Sequence, residues 1–108
     1  MYDLILLPRA ETDVDAILTY LGERSLQGAE AWCKAWENIL EDLRNRPQSF
    51  SLASESALYD EEIRQALFKT RRGRIYRALF ACSKNTVHVL HVRGPGQDLL
   101  PPDEIRFH

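Results

Sequence analysis

The order of sequence patterns predicts a two-layer α+β domain, β-α-α-β-β-β: an N-terminal strand, an antiparallel helical hairpin, then a three-stranded antiparallel meander. Two observations predict it. Apolar residues recur every three to four positions from Ala10 to Leu43, then every second position in β-branched and aromatic runs from Ile63 to Arg93. Proline, glycine and asparagine punctuate the chain between these runs. The 108 residues suit one domain, 1–108, with a single core.

Each element has its local reason. Residues 2–7, Tyr-Asp-Leu-Ile-Leu-Leu, read as a strand that Pro8 ends, because proline has no N–H for a ladder. Ala10, Val14, Ile17, Leu18 and Leu21 share one helical face, and Glu11, Asp13 and Asp15 suit the positive end of its dipole. The break falls at Gly22 to Ser25. Ser25 is the expected N-cap of a second helix, Leu26–Asn45, whose stripe runs through Ala29, Trp32, Cys33, Trp36, Ile39, Leu40 and Leu43. Both tryptophans lie on that stripe and read as core. Pro47 stops the helix, and so short a connection makes the two helices an antiparallel hairpin. Residues 47–61 form a serine- and alanine-rich loop without a period. Three strands follow at about 63–70, 74–82 and 86–93, turned at Arg72-Gly73 and Lys84-Asn85, where glycine and asparagine tolerate positive φ. In the middle strand Ile75, Arg77, Leu79 and Ala81 share one face, and Arg74, Tyr76, Ala78 and Phe80 the other. Apolar groups on both faces make it central. Gly94-Pro95-Gly96 is a hard break, followed by Pro101-Pro102 and a short helix expected at 103–106.

Composition excludes several classes. Hydrophobic residues make up 44% and charged residues 28%, as in ordinary soluble domains. No apolar run approaches the roughly 20 residues that cross a bilayer. Leu4 to Leu7 is too short for a secretory core and lacks a basic segment before it, so a cytoplasmic location without membrane contact is expected. Cys33 and Cys82, far apart in apolar surroundings, read as two buried thiols and not as a disulfide or metal pair. No His/Cys cluster has metal-ligand spacing, and Gly94-Pro95-Gly96 lacks the helix and lysine of a phosphate loop. No metal or cofactor is therefore expected.

The net charge of −2 conceals two unlike halves. Residues 1–62 carry five basic and thirteen acidic groups; residues 63–108 carry nine basic and three acidic. Such a chain presents an acidic and a basic surface. The basic one is expected to meet phosphate or an acidic partner.

Four segments together resemble the RelE/ParE superfamily of toxins from type II toxin–antitoxin (plasmid stabilisation) modules. They are the opening strand with Pro8-Arg9-Ala10-Glu11-Thr12-Asp13-Val14-Asp15-Ala16-Ile17, the helical hairpin ending in Arg46-Pro47, Glu62-Ile63-Arg64 leading to Gly73-Arg74-Ile75-Tyr76-Arg77-Ala78-Leu79-Phe80, and Val87-His88-Val89-Leu90-His91-Val92-Arg93. The resemblance implies the β-α-α-β-β-β fold and a cognate antitoxin, a small DNA-binding protein with an acidic, amphipathic tail. It implies one of two targets, DNA gyrase for ParE-like members or messenger RNA in the ribosomal A site for RelE-like ones, and leaves room for a homodimer. Arg77 matches the strand arginine that steadies the scissile phosphate in RelE-like members. Arg93 matches a basic position near the end of the last strand, and Lys69 and Arg71 lie near the basic residues of the preceding strand. The C-terminal tyrosine or histidine of many RelE-like nucleases has no match; Leu99 and Leu100 occupy that region.

RNA cleavage by a 2′-hydroxyl needs a base, cations for the phosphorane and an acid for the leaving oxygen. Arg77, Arg93 and Lys69 are the candidate cations, and His91 is the candidate acid/base group, because alternation places it with Arg93 and turns His88 to the other face. Arg71, Arg72, Arg74 and Arg77 are the candidate target-binding residues, since guanidinium forks match phosphate and carboxylate. The structural alternatives are an ion pair of Arg77 with Asp13 or Asp15, a solvated hairpin tip at Arg71-Arg72, and a locally bonded strand histidine. The incomplete acid/base set favours the gyrase-type toxin slightly over the endoribonuclease; a degenerate toxin that only binds antitoxin is the third reading. The toxin readings expect the meander's cations to converge on one accessible patch beside the helix pair.

Overall fold

A computed structural model describes residues 1–95; Leu99, Leu100, Pro101-Pro102 and the helix expected at 103–106 lie outside them. Strand β1 (Asp3–Leu6) leads into α1 (Pro8–Arg24) and α2 (Leu26–Asn45), then β2 (Arg64–Phe68), β3 (Tyr76–Ser83) and β4 (Thr86–Arg93). The expected α+β order is observed. The strands form one sheet in the order β1-β4-β3-β2, with β1 parallel to β4 and the other pairs antiparallel.

Only Ser25 separates the helices, so α1 continues through Gly22 where a break was expected. Pro8 opens α1 with a φ already helical and no N–H to leave unbonded. At its other end the Arg24 guanidinium donates to the Tyr20 carbonyl at 2.9 Å and stacks on the Tyr20 ring at 3.6 Å. Ser25 caps α2: its Oγ accepts from Gly28 N at 3.0 Å.

The hairpin lies on one face of the sheet. Ala10 of α1 and Trp32, Trp36, Ile39 and Leu43 of α2 meet Ala66, Phe68, Ala78, Phe80, Val87, Val89 and Val92. Each large apolar side chain so buried contributes on the order of 2 kcal/mol. Trp32 and Trp36 stack at 5.7 Å, with Phe68 and Tyr76 edging the pair. The tryptophans are core, as the stripe predicts. Cys33 and Cys82 are free thiols, but each is half-buried and not buried as expected.

The connection from α2 to β2 is more ordered than its sequence suggests. It makes 3-10 turns at Pro47–Ser49 and Ser54–Leu58 and bridges the β2 edge, where Leu52 pairs with Arg64 and Ala53 N donates to Ile63 O at 2.7 Å. It then crosses to the face opposite the helices. There Ala53 and Ile63 pack on Leu79, Ala81 and Leu90 as a second small core, and Glu55 is buried completely.

Three irregularities correct the sequence reading. The β3–β4 register runs Leu79↔His91 and then Phe80↔Val89, so Leu90 is an extra residue in a bulge. Strict alternation separates His88 from His91; the bulge sets them opposite Ala81 and Leu79, two residues of one face. The β2–β3 connection is not a two-residue turn but spans residues 69–75, closed by Gly73 N donating to Thr70 O at 3.2 Å. A Cβ at Gly73 would require the Thr70 hydroxyl to move aside, and its φ is not in the left-handed region. At the β3–β4 turn Lys84, not Asn85, takes the positive φ, at 57°.

Candidate functional site

The candidate cations separate into two groups. The first is built on the sheet face opposite the helices. Arg77 of β3 lies directly across from Arg93 of β4, a like-charge pairing that needs compensation. Glu55 supplies it from the 3-10 turn beneath. Arg77 Nη1 donates to Glu55 Oε1 at 3.0 Å and Nη2 to Oε2 at 2.8 Å, a two-pronged ion pair. Arg77 Nη1 also donates to Gln65 Oε1 at 3.1 Å, from the neighbouring strand. The Glu55 side chain has no exposed surface and that of Arg77 only 19%. Arg77 is thus a structural cation, as its alternative reading held, but its carboxylate is Glu55 and not Asp13 or Asp15.

His91 is fully buried two residues along β4. Its Nδ1 lies 3.7 Å from Asp13 Oδ2. That carboxylate is already engaged, accepting from Val92 N at 2.9 Å and, through Oδ1, from Arg9 Nε at 2.9 Å. The reason is topological. β1 reaches only as far as Val89 of β4, and Asp13 replaces the missing strand as acceptor for the next outward N–H. A buried imidazole beside this shared carboxylate is poorly placed to take a proton from a large substrate. His88 is half-buried, with Nδ1 lacking a hydrogen-bond partner.

The second group occupies the β2–β3 connection. Lys69, Arg71, Arg72 and Arg74 are all exposed. Lys69 falls beyond the last ladder pair, Phe68↔Tyr76, and so is a loop residue and not a strand residue. Arg72 and Arg74 line a groove of about 860 Å³ between this loop and the helical hairpin, with Tyr20, Leu21, Trp32 and Tyr76 among its walls. Burial, and then the neighbouring Tyr20, push the Tyr76 hydroxyl above its ordinary pKa; Arg74 pulls it the other way. Tyr76 is therefore a neutral hydroxyl at physiological pH.

The expected single patch is two surfaces. Arg77 and Arg93 come together away from the helices, with Arg77 tied into the fold by Glu55, while Arg72 and Arg74 stand beside the helix pair. Glu55 and Gln65 are the partners that sequence reasoning missed. The one available signal was an isolated acid in Ser51-Leu52-Ala53-Ser54-Glu55-Ser56-Ala57-Leu58, a segment otherwise without charge. Among the described residues no group of three or more His, Cys, Asp or Glu is arranged to hold a metal ion, and no helix is long and apolar enough to cross a membrane. No protein-family model matches the chain, and no curated protein matches it.

Proposed function

We propose that this chain is the toxin of a type II toxin–antitoxin module of the RelE/ParE kind, and that it arrests growth by binding its target, DNA gyrase, and not by cutting RNA. One observation carries the choice between the two targets: the guanidinium that a nuclease of this kind would turn toward phosphate, Arg77, is held two-pronged by the buried Glu55 and again by Gln65. Burial of His91 against Asp13 points the same way. The cations left accessible, Lys69, Arg71, Arg72 and Arg74, sit together on one loop suited to grip an acidic protein surface. The β-α-α-β-β-β order with a helical hairpin on one face is the architecture that the sequence resemblance implies. The partner that neutralises the toxin is a cognate antitoxin with an acidic, amphipathic segment that folds on binding, and both act in the cytoplasm.

Induced expression in a bacterium tests this with two readouts, plasmid supercoiling and in-cell messenger cleavage. Growth arrest with loss of negative supercoiling and no codon-phased cuts is expected. Codon-phased cuts with unchanged supercoiling would transfer the chain to the ribosome-dependent endoribonucleases. Absence of both, with an antitoxin still bound, would identify a degenerate toxin.

A further inference from the structure

Strand β2 is an outer strand of the sheet, and its free edge is covered only in part. Residues 51–53 lie along its beginning: Leu52 bridges Arg64, Ala53 N donates to Ile63 O, and Gln65 N donates to Ser51 O at 3.0 Å. In an extended strand the backbone groups that point one way recur at every second residue. The N–H and C=O of Leu67 therefore face outward as those of Gln65 do, and among the described residues no backbone group meets them. A bare edge is a template for another strand, and native edges commonly oppose this with charge or proline. Here the side chain is a leucine, 52% exposed. Ile75, two residues before its cross-strand neighbour Arg77, is 54% exposed.

The flanks of β2 carry opposite charge. Asp60, Glu61 and Glu62 precede it, Lys69, Arg71 and Arg72 follow it, and all six are exposed. Glu62 is only loosely engaged, its Oε1 3.7 Å from Arg64 Nη2. The order acid, strand, base is complementary to its own reverse. A second copy laid antiparallel along the edge sets the basic flank of each chain beside the acidic flank of the other, whereas a parallel copy aligns like charges. We propose that two copies of this chain pair edge to edge through β2, antiparallel about a two-fold axis beside Leu67, joining their two four-stranded sheets into one. Residues 51–53 confine the pairing to Leu67 and the residues after it, so the contact is small and the dimer weak. Arg71 and Arg72 also belong to the loop given above to the target, so self-pairing and target binding compete for them. The dimer itself does not depend on the toxin reading.

The test is sedimentation equilibrium of the full chain from about 10 µM to about 1 mM. The mean mass should climb toward that of two chains, and less steeply at high salt. Leu67→Lys removes the apolar contact and sets like charges at the axis, and about tenfold weaker association is expected. Two charge reversals complete the experiment. Asp60→Lys with Glu61→Lys and Glu62→Lys makes both flanks basic; Lys69→Glu with Arg71→Glu and Arg72→Glu makes both acidic. Each variant should lose self-association, and an equimolar mixture of the two should recover it as a mixed dimer. All the altered sites are exposed, and circular dichroism checks that each variant is folded. A chain that stays monomeric at the highest concentration, a Leu67→Lys variant that associates like wild type, or a mixture no more associated than its components would overturn the proposal. So would slow hydrogen exchange of the Leu67 amide at the lowest concentration, which would mean that the edge is already covered within one chain. Dimerisation without growth arrest in the supercoiling experiment would sink the toxin reading and leave the self-pairing standing.

Discussion

Arg77 and Glu55 meet as fork and carboxylate, with two contacts of 3.0 and 2.8 Å joining the middle strand to a 3-10 turn 22 residues earlier. Removing one member of such a pair leaves the other without its counter-charge. Arg77→Ala strands a fully buried carboxylate and is expected to destabilise the fold by about 3 kcal/mol, whereas the double change Glu55→Leu with Arg77→Met should cost much less. Urea unfolding of the two variants checks this. Equal losses would show that the pair is not coupled. An Arg77 variant that no longer arrests growth is therefore interpretable only beside its unfolding curve.

The exposed arginines should behave in the opposite way. Substituting Arg71, Arg72 and Arg74 together by alanine is expected to shift stability by less than about 0.5 kcal/mol per site, while growth arrest and the supercoiling change are lost. A triple variant that melts like wild type and still arrests growth would remove this loop from the target-binding surface.

Lys84 holds φ at 57° in the two-residue turn between β3 and β4, a conformation that costs a side chain with a Cβ about 1–2 kcal/mol. Lys84→Gly relieves it but adds freedom to the unfolded chain. The expected net gain is about 0.5 kcal/mol, read as a higher urea midpoint with unchanged slope. A lower midpoint would mean that the lysine makes a contact of its own worth more than the strain.

The phenol of Tyr76 titrates above its ordinary 10.0, chiefly through burial. A raised folded-state pKa means that the fold favours the protonated form. The associated stability is complete below about pH 10 and is lost as the pH rises through the folded value. Tyr76→Phe should therefore lose less stability than wild type between pH 8 and the alkaline range. Parallel declines in the two proteins would show that Tyr76 is not the group responsible.

Legibility in the sequence followed the strength of local signals. Helix α2 was readable to its last residue because Ser25 caps one end, Pro47 bars the other and the apolar stripe is continuous. Strand β4 was readable because a two-residue turn fixes its start and Gly94 its end. The bulge was not, because Val87, Val89, Leu90 and Val92 supply apolar groups in either phase; the adjacent pair Val89-Leu90 is its only trace. That one extra residue brings His88 onto the face that His91 shares with Arg93, whereas His91 keeps the face that alternation gives it. Glu55 was hidden differently. Its loop has no period, and burial of its carboxylate depends on Arg77, 22 residues away. Asp13, the carboxylate first offered to Arg77, is drawn instead to the open edge of β4 by a bare backbone N–H.

Strand β1 lies against β4, Asp3 beside Thr86 and Leu6 beside Val89, so β1 gains its partner only after β2 and β3 have been synthesised. During translation the helical hairpin can form early, but the sheet that covers its apolar stripe cannot close until the fourth strand has emerged. Such distant pairing slows folding and prolongs exposure of sticky surface. The nascent chain is consequently at its most vulnerable to proteases and to self-association until β4 has emerged.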